Sequence, residues 1–452
     1  MSLHCDRIAR LNPKLNAIVI HDPDLSLQTA KERDAEPAYR PLHGVPVTVK
    51  EAFDVRGWKT TANFSPFRNN IAEADAYAVR CLKDAGAVVL GKTNVPTLLA
   101  DYQTCGPLYT TAKNPYDLAR TPGGSTGGGA AALAAGLTLL EIGSDLGGSI
   151  RVPAHFCGLF GLKPTENALA HGDGHVPPPT RDGRGFVAMA SIGPLARTMA
   201  DIELGWNALK PPPQRPVRVH TDISRYRVAW FADTSAACCD HATKSALLGL
   251  IATLQANGVV TEHRPFDVQW ERSACQTWAS LLGAMVGQHC PWWMRQALKV
   301  PLTYSARGSA HSIASAWRRG LSLDFRHFSR ALSCRHELAS ELAQRFSDYD
   351  FIISPVAAGP AFPHNPRHNP VRVDGSPIPY FDFAMPFVVP YNVCGNPVLV
   401  VPAGLNSEGL PIGLQIASAP HTEPDLLQFG RLLELLGYTS PTPPSDVLDS
   451  IK

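Results

Sequence analysis

Residues 121–165 read TPGGSTGGGAAALAAGLTLLEIGSDLGGSIRVPAHFCGLFGLKPT, and their composition differs sharply from that of the rest of the chain. Glycine, leucine and alanine dominate, and the charged residues before Lys163 are Glu141, Asp145 and Arg151. Because the surface of a folded domain carries most of its charged side chains, a stretch so poor in charge is predicted to be buried. We therefore expect residues 121–165 to form the centre of the fold.

Helix and strand patterns alternate around this central stretch. Residues 45–50 read VPVTVK and predict a strand that ends on a lysine, while residues 75–86 predict a helix and 87–90 a buried strand. Residues 349–355 and 397–402 predict buried strands that return to the core. The alternation of helices and strands predicts an α/β fold.

The overall composition is that of a globular protein. The chain has 452 residues, of which 44% are hydrophobic and 18% charged, so a disordered or coiled-coil protein is excluded. We predict a single domain over residues 1–452 with a helical excursion at 211–345, and five of the eight tryptophans lie between Trp270 and Trp317. With 41 basic and 39 acidic residues and no basic cluster, nucleic-acid binding is not expected.

The cysteine pattern and the N-terminal sequence predict a cytoplasmic protein whose cysteines are reduced. None of the ten cysteines forms a CxxC pair, and no secretory signal opens the chain. The apolar run at 130–140 is too short to span a membrane, so no membrane association is predicted. His364 and His368 lie in a Pro-rich HNPRHNP stretch that does not place them on one helix face. We therefore predict neither a metal site nor a cofactor.

Two serines embedded in glycine are the candidates for chemistry. The run at 123–129 lacks the GK[ST] ending of a phosphate-binding loop, which disfavours nucleotide binding. Ser125 and Ser149 instead lie where glycine lets the backbone turn sharply and approach a ligand. The N–H groups of residues 146–149 could converge on one point, as an oxyanion hole requires.

A serine nucleophile needs a base. No motif places a histidine for this role, and His155 is more simply interpreted as a structural residue. Lysine is the alternative, because a lysine removed from water has a lowered pKa. Lys50 follows an apolar strand, although a strand-end lysine that reaches solvent is the interpretation the residues alone favour.

Several blocks of the sequence together resemble the amidase signature family. They are the GGSTGG run, GSDLGGSIRVPA at 143–154, GLKPT at 161–165, the GPLAR block that ends at Arg197, and the pair NVCGNP and GLPIGLQ in the C-terminal part. The similarity covers residues 5–210 and 345–440 and is closer to the stand-alone amidase branch than to amidotransferase subunits. It implies a large mixed β-sheet flanked by helices on both faces.

The resemblance also implies a Ser-cisSer-Lys catalytic triad. Carried over by position, Ser149 is the nucleophile, Ser125 the bridging serine after a cis peptide bond with Gly124, and Lys50 the base. Lys50 thereby becomes a catalytic candidate, although the residues alone favoured a strand-end lysine. The implied function is hydrolysis of a small-molecule amide through an acyl-enzyme. The oxyanion hole would use the backbone N–H groups of Leu146, Gly147, Gly148 and Ser149.

Further residues are assigned around this triad. Asp145 and Arg151 are predicted to pair beneath the loop, either as support for the site or as plain scaffolding of the core. Asp101 either orients substrate or organises the backbone. The full sets are Ser144, Asp145, Arg151 and Thr126 as supporting residues, and Leu99, Asp101 and Tyr102 as the substrate pocket. The tryptophans of the excursion either cover the mouth of the site or pack helices on the core.

Two alternatives to a stand-alone amidase stay open. One is an amidotransferase subunit that releases ammonia from glutamine for a partner protein, and the other is an acyl-transfer enzyme. The family usually has an additional amphipathic helix before the segment matching residues 6–19, where this chain nearly begins. A homodimer contact made through such a helix is therefore an open possibility.

Overall fold

The computed structural model contains one 11-stranded mixed sheet and a separate two-stranded hairpin. The order of the strands in the large sheet is β1-β3-β2-β4-β6-β5-β12-β13-β9-β7-β8, numbered along the chain. The structure describes residues 1–169, 174–175, 187–209, 220–299, 309–445 and 447. The strands are β1 Ile18–His21, β2 Pro46–Lys50, β3 Val88–Thr93, β4 Leu140–Asp145, β5 Phe160–Lys163, β6 Ser191–Ala196, β7 Arg227–Trp230, β8 Val260–His263, β9 Phe351–Pro355, β10 Val371–Val373, β11 Ser376–Ile378, β12 Val398–Leu405 and β13 Pro411–Ser418.

Strand directions confirm that the sheet is mixed. Strand β2 lies between β3 and β4 and runs parallel to both, and β7 likewise runs parallel to β8 and β9. The central strands β5, β6, β12 and β13 pair antiparallel with their neighbours. The α-helices of the described residues are α1 Ser2–Leu15, α2 Pro23–Asp34, α3 Tyr77–Asp84, α4 Gly127–Ala134, α5 Arg151–Phe156, α6 Met199–Leu209, α7 His241–Ala256, α8 Val268–Gly287, α9 Trp292–Lys299, α10 Ser309–Leu321, α11 Phe325–Asp348, α12 Met385–Val393 and α13 Glu423–Leu435.

Both faces of the large sheet are covered by apolar packing. Successive residues of a strand point to opposite faces, and in β12 the side chains of Val398 and Val400 join one hydrophobic cluster while Leu399 and Val401 join another. The first cluster includes residues of α5, α8 and α12, and the second includes residues of α6, α7 and α13. The predicted α/β class, with helices on both faces of a large mixed sheet, is confirmed.

The 121–165 stretch lies at the centre of this arrangement, as predicted. It forms α4, β4, the loop at 146–149, α5 and β5 in turn. Small residues let the backbone of α4 lie directly on its neighbours, since a Cβ added to Gly129 would lie 2.4 Å from Glu141 Cδ. A Cβ on Gly128 would lie 2.3 Å from the backbone nitrogen of Asn94. The glycines therefore bring the loop that carries Ser125 close to the strands.

The first helix and the predicted excursion lie at opposite parts of the fold. The first helix spans Ser2–Leu15 and buries Ile8, Leu11 and Leu15. The predicted excursion at 211–345 contains strands as well as helices, because β7 and β8 lie within it and extend the edge of the large sheet. The mainly helical part of the excursion therefore begins at α8, which follows β8 in the sequence.

Among the described residues, no helix is both long and apolar enough to cross a bilayer.

Candidate active site

Lys50 is the last residue of strand β2 and is fully buried. Its Nζ donates to Ser125 Oγ at 2.7 Å and lies 3.1 Å from both Oγ and the carbonyl oxygen of Ser144. Burial lowers the pKa of the Lys50 ammonium to about 7, although the charges of Asp145 and Glu141 act to raise it. A large fraction of Lys50 is therefore neutral near pH 7 and able to accept a proton.

Burial alone does not single out Lys50. Lys92 and Lys163 are also fully buried, and burial lowers their pKa values to about 8 and about 7. Lys92 forms an ion pair with Glu51 at 3.8 Å, and Lys163 donates to Ser191 Oγ at 3.2 Å. Lys50 differs because its serine partner belongs to the glycine-rich loop that lies beside the second predicted catalytic serine.

Ser125 lies just before the first turn of α4 and is buried. The Gly124–Ser125 peptide bond is cis, as the family resemblance implies. A Cβ added to Gly124 would lie 2.3 Å from the carbonyl oxygen of Asp101 and 3.0 Å from the nitrogen of Gln103. Glycine is therefore required at 124 because the 101–103 segment packs directly on the backbone next to Ser125.

Ser149 lies in the loop 146–149, which links β4 to α5, and is more exposed than Ser125. The Ser149 carbonyl oxygen accepts a hydrogen bond from the Thr126 N–H at 3.2 Å, so the two serine-bearing loops are joined through their backbones. In the described part of the chain, no hydrogen bond links the Ser125 and Ser149 hydroxyls directly.

A buried ion pair between Asp145 and Arg151 lies next to the loop 146–149. Arg151 Nη2 and Nε lie 3.0 and 3.1 Å from the two carboxylate oxygens of Asp145, and both side chains are fully buried. Asn392 Nδ2 also donates to Asp145 Oδ1 at 3.0 Å. Burial alone would raise the pKa of Asp145, but the Arg151 charge and hydrogen bonds, with Lys163 and Asn392, outweigh it and hold the pKa below its usual value. Asp145 is therefore a permanent anion beneath the loop.

The same carboxylate changes the prediction for the oxyanion hole. The Gly148 N–H donates to Asp145 Oδ1 at 2.8 Å, so this donor already has an acceptor within the protein. The N–H groups of Leu146, Gly147 and Ser149 have no acceptor in the described part of the chain. Of the four N–H groups expected from the sequence, these three are therefore the ones without an internal acceptor.

Ser144 and Thr126 differ in how they relate to the Lys50–Ser125 pair. Ser144 Oγ lies 3.0 Å from Nε2 of His175 as well as near Lys50. His175 was missed from the sequence because it lies in a Pro-rich stretch with no recognisable motif. Thr126 Oγ1 is buried and has no hydrogen-bond partner among the described residues, so it takes no part in a proton path.

The three residues predicted to line the substrate pocket, Leu99, Asp101 and Tyr102, have different surroundings in the structure. The Tyr102 hydroxyl donates to the Gly147 carbonyl oxygen at 2.9 Å. Asp101 accepts from the Tyr380 hydroxyl, and its Oδ2 lies 2.9 Å from His368 Nε2. The hydrogen bond to Asp101 raises the pKa of His368. Leu99 is partly buried and adopts a positive φ of 61°.

Asp101 therefore acts within the protein, as a link between two loops. It also accepts from its neighbouring Gln103 N–H at 3.3 Å, which is the backbone-organising role considered from the sequence. His368 and Tyr380 were not predicted as its partners. His368 was considered only as a metal ligand, and in the described residues no group of three or more His, Cys, Asp or Glu side chains is arranged to hold a metal ion.

One tryptophan of the excursion reaches the loop. Trp278 in α8 donates its indole N–H to the Leu146 carbonyl oxygen at 2.8 Å. Trp270, two turns earlier in α8, is instead stacked on Phe266 with ring centroids 4.3 Å apart. Trp292 and Trp293 are largely exposed in α9. The tryptophans thus have different surroundings, and Trp278 is the one for which the structure gives a hydrogen bond to the loop.

Comparison with known proteins gives consistent results. A model of the Amidase family matches residues 1–427. The chain is 30% identical to an acylamidase from Rhodococcus erythropolis over 98% of this chain and 92% of that protein. It is also 30% identical to a subunit of the glutamyl-tRNA(Gln) amidotransferase of Carboxydothermus hydrogenoformans, over 95% and 91% of the two chains.

A solved structure supports the same assignment. It is described as the inhibitor-bound form of a vestigial protein complex that reveals the origins of an s-triazine catabolic enzyme, and it matches with a TM-score of 0.79 and 26% identity. The match covers 97% of this chain and 95% of that one. With its sheet, its glycine-rich serine loops and these matches along nearly its full length, the chain belongs to the amidase signature family, whose enzymes hydrolyse amides.

Proposed function

We propose that this protein is a stand-alone amide hydrolase with Ser149 as nucleophile, Ser125 as bridging serine and Lys50 as base. The observation that carries the proposal is the 2.7 Å contact between Lys50 Nζ and Ser125 Oγ inside the protein. A neutral lysine in such a setting can serve as the base of a serine nucleophile. The partial exposure of Ser149 supports its assignment as the residue that meets substrate.

The proposed reaction proceeds in two halves. Neutral Lys50 accepts the Ser125 proton while Ser125 accepts that of Ser149, and Ser149 Oγ attacks the amide carbonyl carbon. The tetrahedral intermediate then breaks its C–N bond as the proton returns through Ser125 to the leaving nitrogen. Water, deprotonated by the same path, cleaves the resulting ester and releases a carboxylate.

The negative charge of the tetrahedral intermediate needs donors fixed in advance. We assign this role to the backbone N–H groups of Leu146, Gly147 and Ser149, since Gly148 already donates to Asp145. The ion pair of Asp145 with Arg151 supports this loop from a buried position. The supporting residues therefore act on the backbone of the site and not on substrate.

The substrate is proposed to be a small-molecule amide, in a cytoplasmic enzyme without cofactor. The 99–104 segment carries Leu99 and Asp101, and its residues 101–103 pack on the backbone of Gly124. Asp101 also accepts a hydrogen bond from Tyr380. This position supports a role for the segment in shaping the acyl pocket. The excursion at 211–345, through Trp278, is proposed to cover the mouth of the site within one domain of 452 residues.

The second candidate is an amidotransferase component that works with a partner protein. It is favoured by the 30% identity to the glutamyl-tRNA(Gln) amidotransferase of Carboxydothermus hydrogenoformans, which equals the identity to the acylamidase. A component of this kind would turn over glutamine with its partner and be nearly inactive alone. A stand-alone amidase would hydrolyse simple aryl and alkyl amides without a partner, so rates on an amide panel that includes glutamine distinguish the two.

Intact-mass spectrometry after treatment with a small fluorophosphonate tests the nucleophile. We expect one adduct on the wild type, none on Ser149→Ala and much slower labelling of Lys50→Ala. Ser191→Ala is the matched control, because Ser191 also contacts a buried lysine, Lys163, and should keep the adduct. An adduct that survives in Ser149→Ala, or none on the wild type, would contradict the proposal. Added hydroxylamine would reveal acyl transfer as a hydroxamate product.

A further inference from the structure

Two side chains from distant parts of the chain hold successive carbonyl groups of the loop 146–149. The indole N–H of Trp278 donates to Leu146 O at 2.8 Å, and the Tyr102 hydroxyl donates to Gly147 O at 2.9 Å. A Cβ added to Gly147 would lie 3.0 Å from Trp278 Cζ2, so the indole ring also lies against the loop. A residue of the excursion thus holds the Leu146 carbonyl group, and a residue of the 101–103 segment holds the Gly147 carbonyl group.

The orientation of a carbonyl determines the orientation of the next N–H. In a trans peptide the C=O and the N–H of one unit point in opposite directions. The bond from Trp278 to Leu146 O therefore fixes the direction of the Gly147 N–H, which has no acceptor in the described residues. The bond from Tyr102 to Gly147 O likewise fixes the Gly148 N–H, which points to Asp145.

A loop of this composition needs such support. Gly147 and Gly148 lack side chains, and Gly148 has a φ of +100°, so the peptide units between residues 146 and 149 have few steric restraints of their own. Donors of an oxyanion hole stabilise the transition state best when they are oriented before the reaction. An N–H that rotates freely would lose part of that effect.

We propose that Trp278 is a positioning residue that orients the Gly147 N–H toward the developing oxyanion. The proposal rests on the amide-hydrolase function proposed above and adds to it a residue outside the signature blocks. Tyr102 holds the next peptide unit, whose Gly148 N–H donates to Asp145 and not to the oxyanion. Burial raises the pKa of Tyr102, so its hydroxyl remains a hydrogen-bond donor. Both side chains act through the backbone and not on substrate.

The test replaces Trp278 by Phe, which keeps an aromatic ring against Gly147 but removes the N–H. We expect kcat to fall about tenfold with KM changed less than twofold, since an interaction made only in the transition state affects kcat. Affinity for phenylboronic acid, which forms a tetrahedral adduct with a nucleophilic serine, should fall by the same factor. Affinity for the carboxylate product should stay constant.

Trp317→Phe is the matched control. Trp317 lies in α10, which packs on α8, and its buried indole nitrogen has no hydrogen-bond partner among the described residues. The two variants lose the same group, but only Trp278→Phe loses a hydrogen bond. Benzothienylalanine at position 278, which has the shape of tryptophan without the N–H, keeps the test valid if Trp278→Phe does not fold.

The outcomes separate this inference from the proposed function. If the wild type forms no fluorophosphonate adduct, the amide-hydrolase proposal fails before any variant is compared. If the wild type is labelled at Ser149 but kcat is equal in Trp278→Phe and Trp317→Phe, the role of Trp278 is wrong. A rise in KM without a fall in kcat would also overturn it, because it would indicate a substrate contact.

Discussion

Lys50 Nζ lies 2.7 Å from Ser125 Oγ, and both side chains are buried. A buried ammonium is unfavourable, and burial lowers the pKa of Lys50 to about 7. Burial at the end of β2 therefore makes the neutral amine of Lys50 available as the base of the proposed reaction. This relationship makes the activity depend on pH in a defined direction.

The first prediction is that kcat/KM rises with pH as Lys50 loses its proton. With a pKa of about 7, the neutral fraction at pH 5.5 is roughly 30-fold smaller than at pH 8, and kcat/KM should fall by about that factor. Initial rates from pH 5 to 9 on an amide whose own ionisation lies outside this range measure it. Lys50→Arg should be inactive throughout, because arginine stays charged. A profile that changes less than twofold between pH 5.5 and 8 would show that Lys50 is not the base.

A second prediction concerns Glu141, which is fully buried near Lys50. Burial raises the pKa of Glu141 to about 7, against the opposing effects of the hydrogen bond from Thr93 and the charge of Lys50. When ionised, Glu141 stabilises protonated Lys50 and raises its pKa. Glu141→Gln removes this charge, so the acid limb of the kcat/KM profile should move to lower pH.

The control for Glu141→Gln is Glu271→Gln, which removes a buried carboxylate in α8 that accepts from the Ser235 N–H. The acid limb of this control should match that of the wild type. An unchanged limb in Glu141→Gln, or one moved to higher pH, would contradict the electrostatic coupling of Glu141 to Lys50.

Motif spacing identified the candidate catalytic residues, but it could not predict the directions of hydrogen bonds. Lys50, Ser125 and Ser149 follow from sequence blocks whose order and separation resemble a known family. The sequence placed Gly148 among the candidate oxyanion donors because a sequence gives no orientation of a peptide plane, whereas in the structure its N–H donates to Asp145. Only the folded loop reveals that choice.

Contacts between residues far apart in the chain also could not be predicted from the sequence. Trp278 is separated from its partner Leu146 by 132 residues, and His368 from Asp101 by 267. Trp278 and His368 lie outside the blocks that carry the family resemblance, so nothing in their local sequence indicates their partners. The strands at 46–50 and 351–355, by contrast, were predictable because burial on both faces leaves a local apolar signature.

A third prediction follows from His155, which the sequence suggested to be structural. Its Nδ1 accepts from the Gly413 N–H at 2.7 Å, which assigns the proton to Nε2, 3.0 Å from the Gly359 carbonyl oxygen. Burial lowers the pKa of His155 from 6.5 to about 4, so between these values the unfolded chain binds a proton that the folded chain does not. The stabilisation is therefore complete above pH 6.5 and is lost as the pH falls.

The expected loss due to His155 is about 2 kcal/mol of unfolding free energy between pH 7 and pH 5. Urea unfolding at the two pH values, monitored by circular dichroism, measures it. In His155→Gln, which retains a donor and an acceptor, the difference between pH 7 and 5 should shrink by that amount. His336→Gln, on an exposed face of α11, should leave the difference unchanged. Equal pH dependence in the wild type and His155→Gln would refute the assignment.

The last prediction contrasts two glycines. A methyl group at Gly124 would lie 2.3 Å from the Asp101 carbonyl oxygen, a distance that forces the backbone of one segment to move. Gly249, on an exposed face of α7, has open space around an added Cβ. Gly124→Ala is expected to lower the melting temperature and to reduce kcat at least 100-fold, because the displaced backbone carries Ser125.

Gly249→Ala should instead stabilise the protein by about 0.5–1 kcal/mol with unchanged kcat, since alanine costs less entropy than glycine in a helix. Differential scanning calorimetry and initial rates on the two variants and the wild type provide both readouts. A Gly124→Ala enzyme with wild-type kcat would mean that the position of the Ser125 backbone is not critical, and the bridging role assigned to Ser125 would then need a different geometry. A large loss of stability in Gly249→Ala would contradict the open environment of α7 at that position.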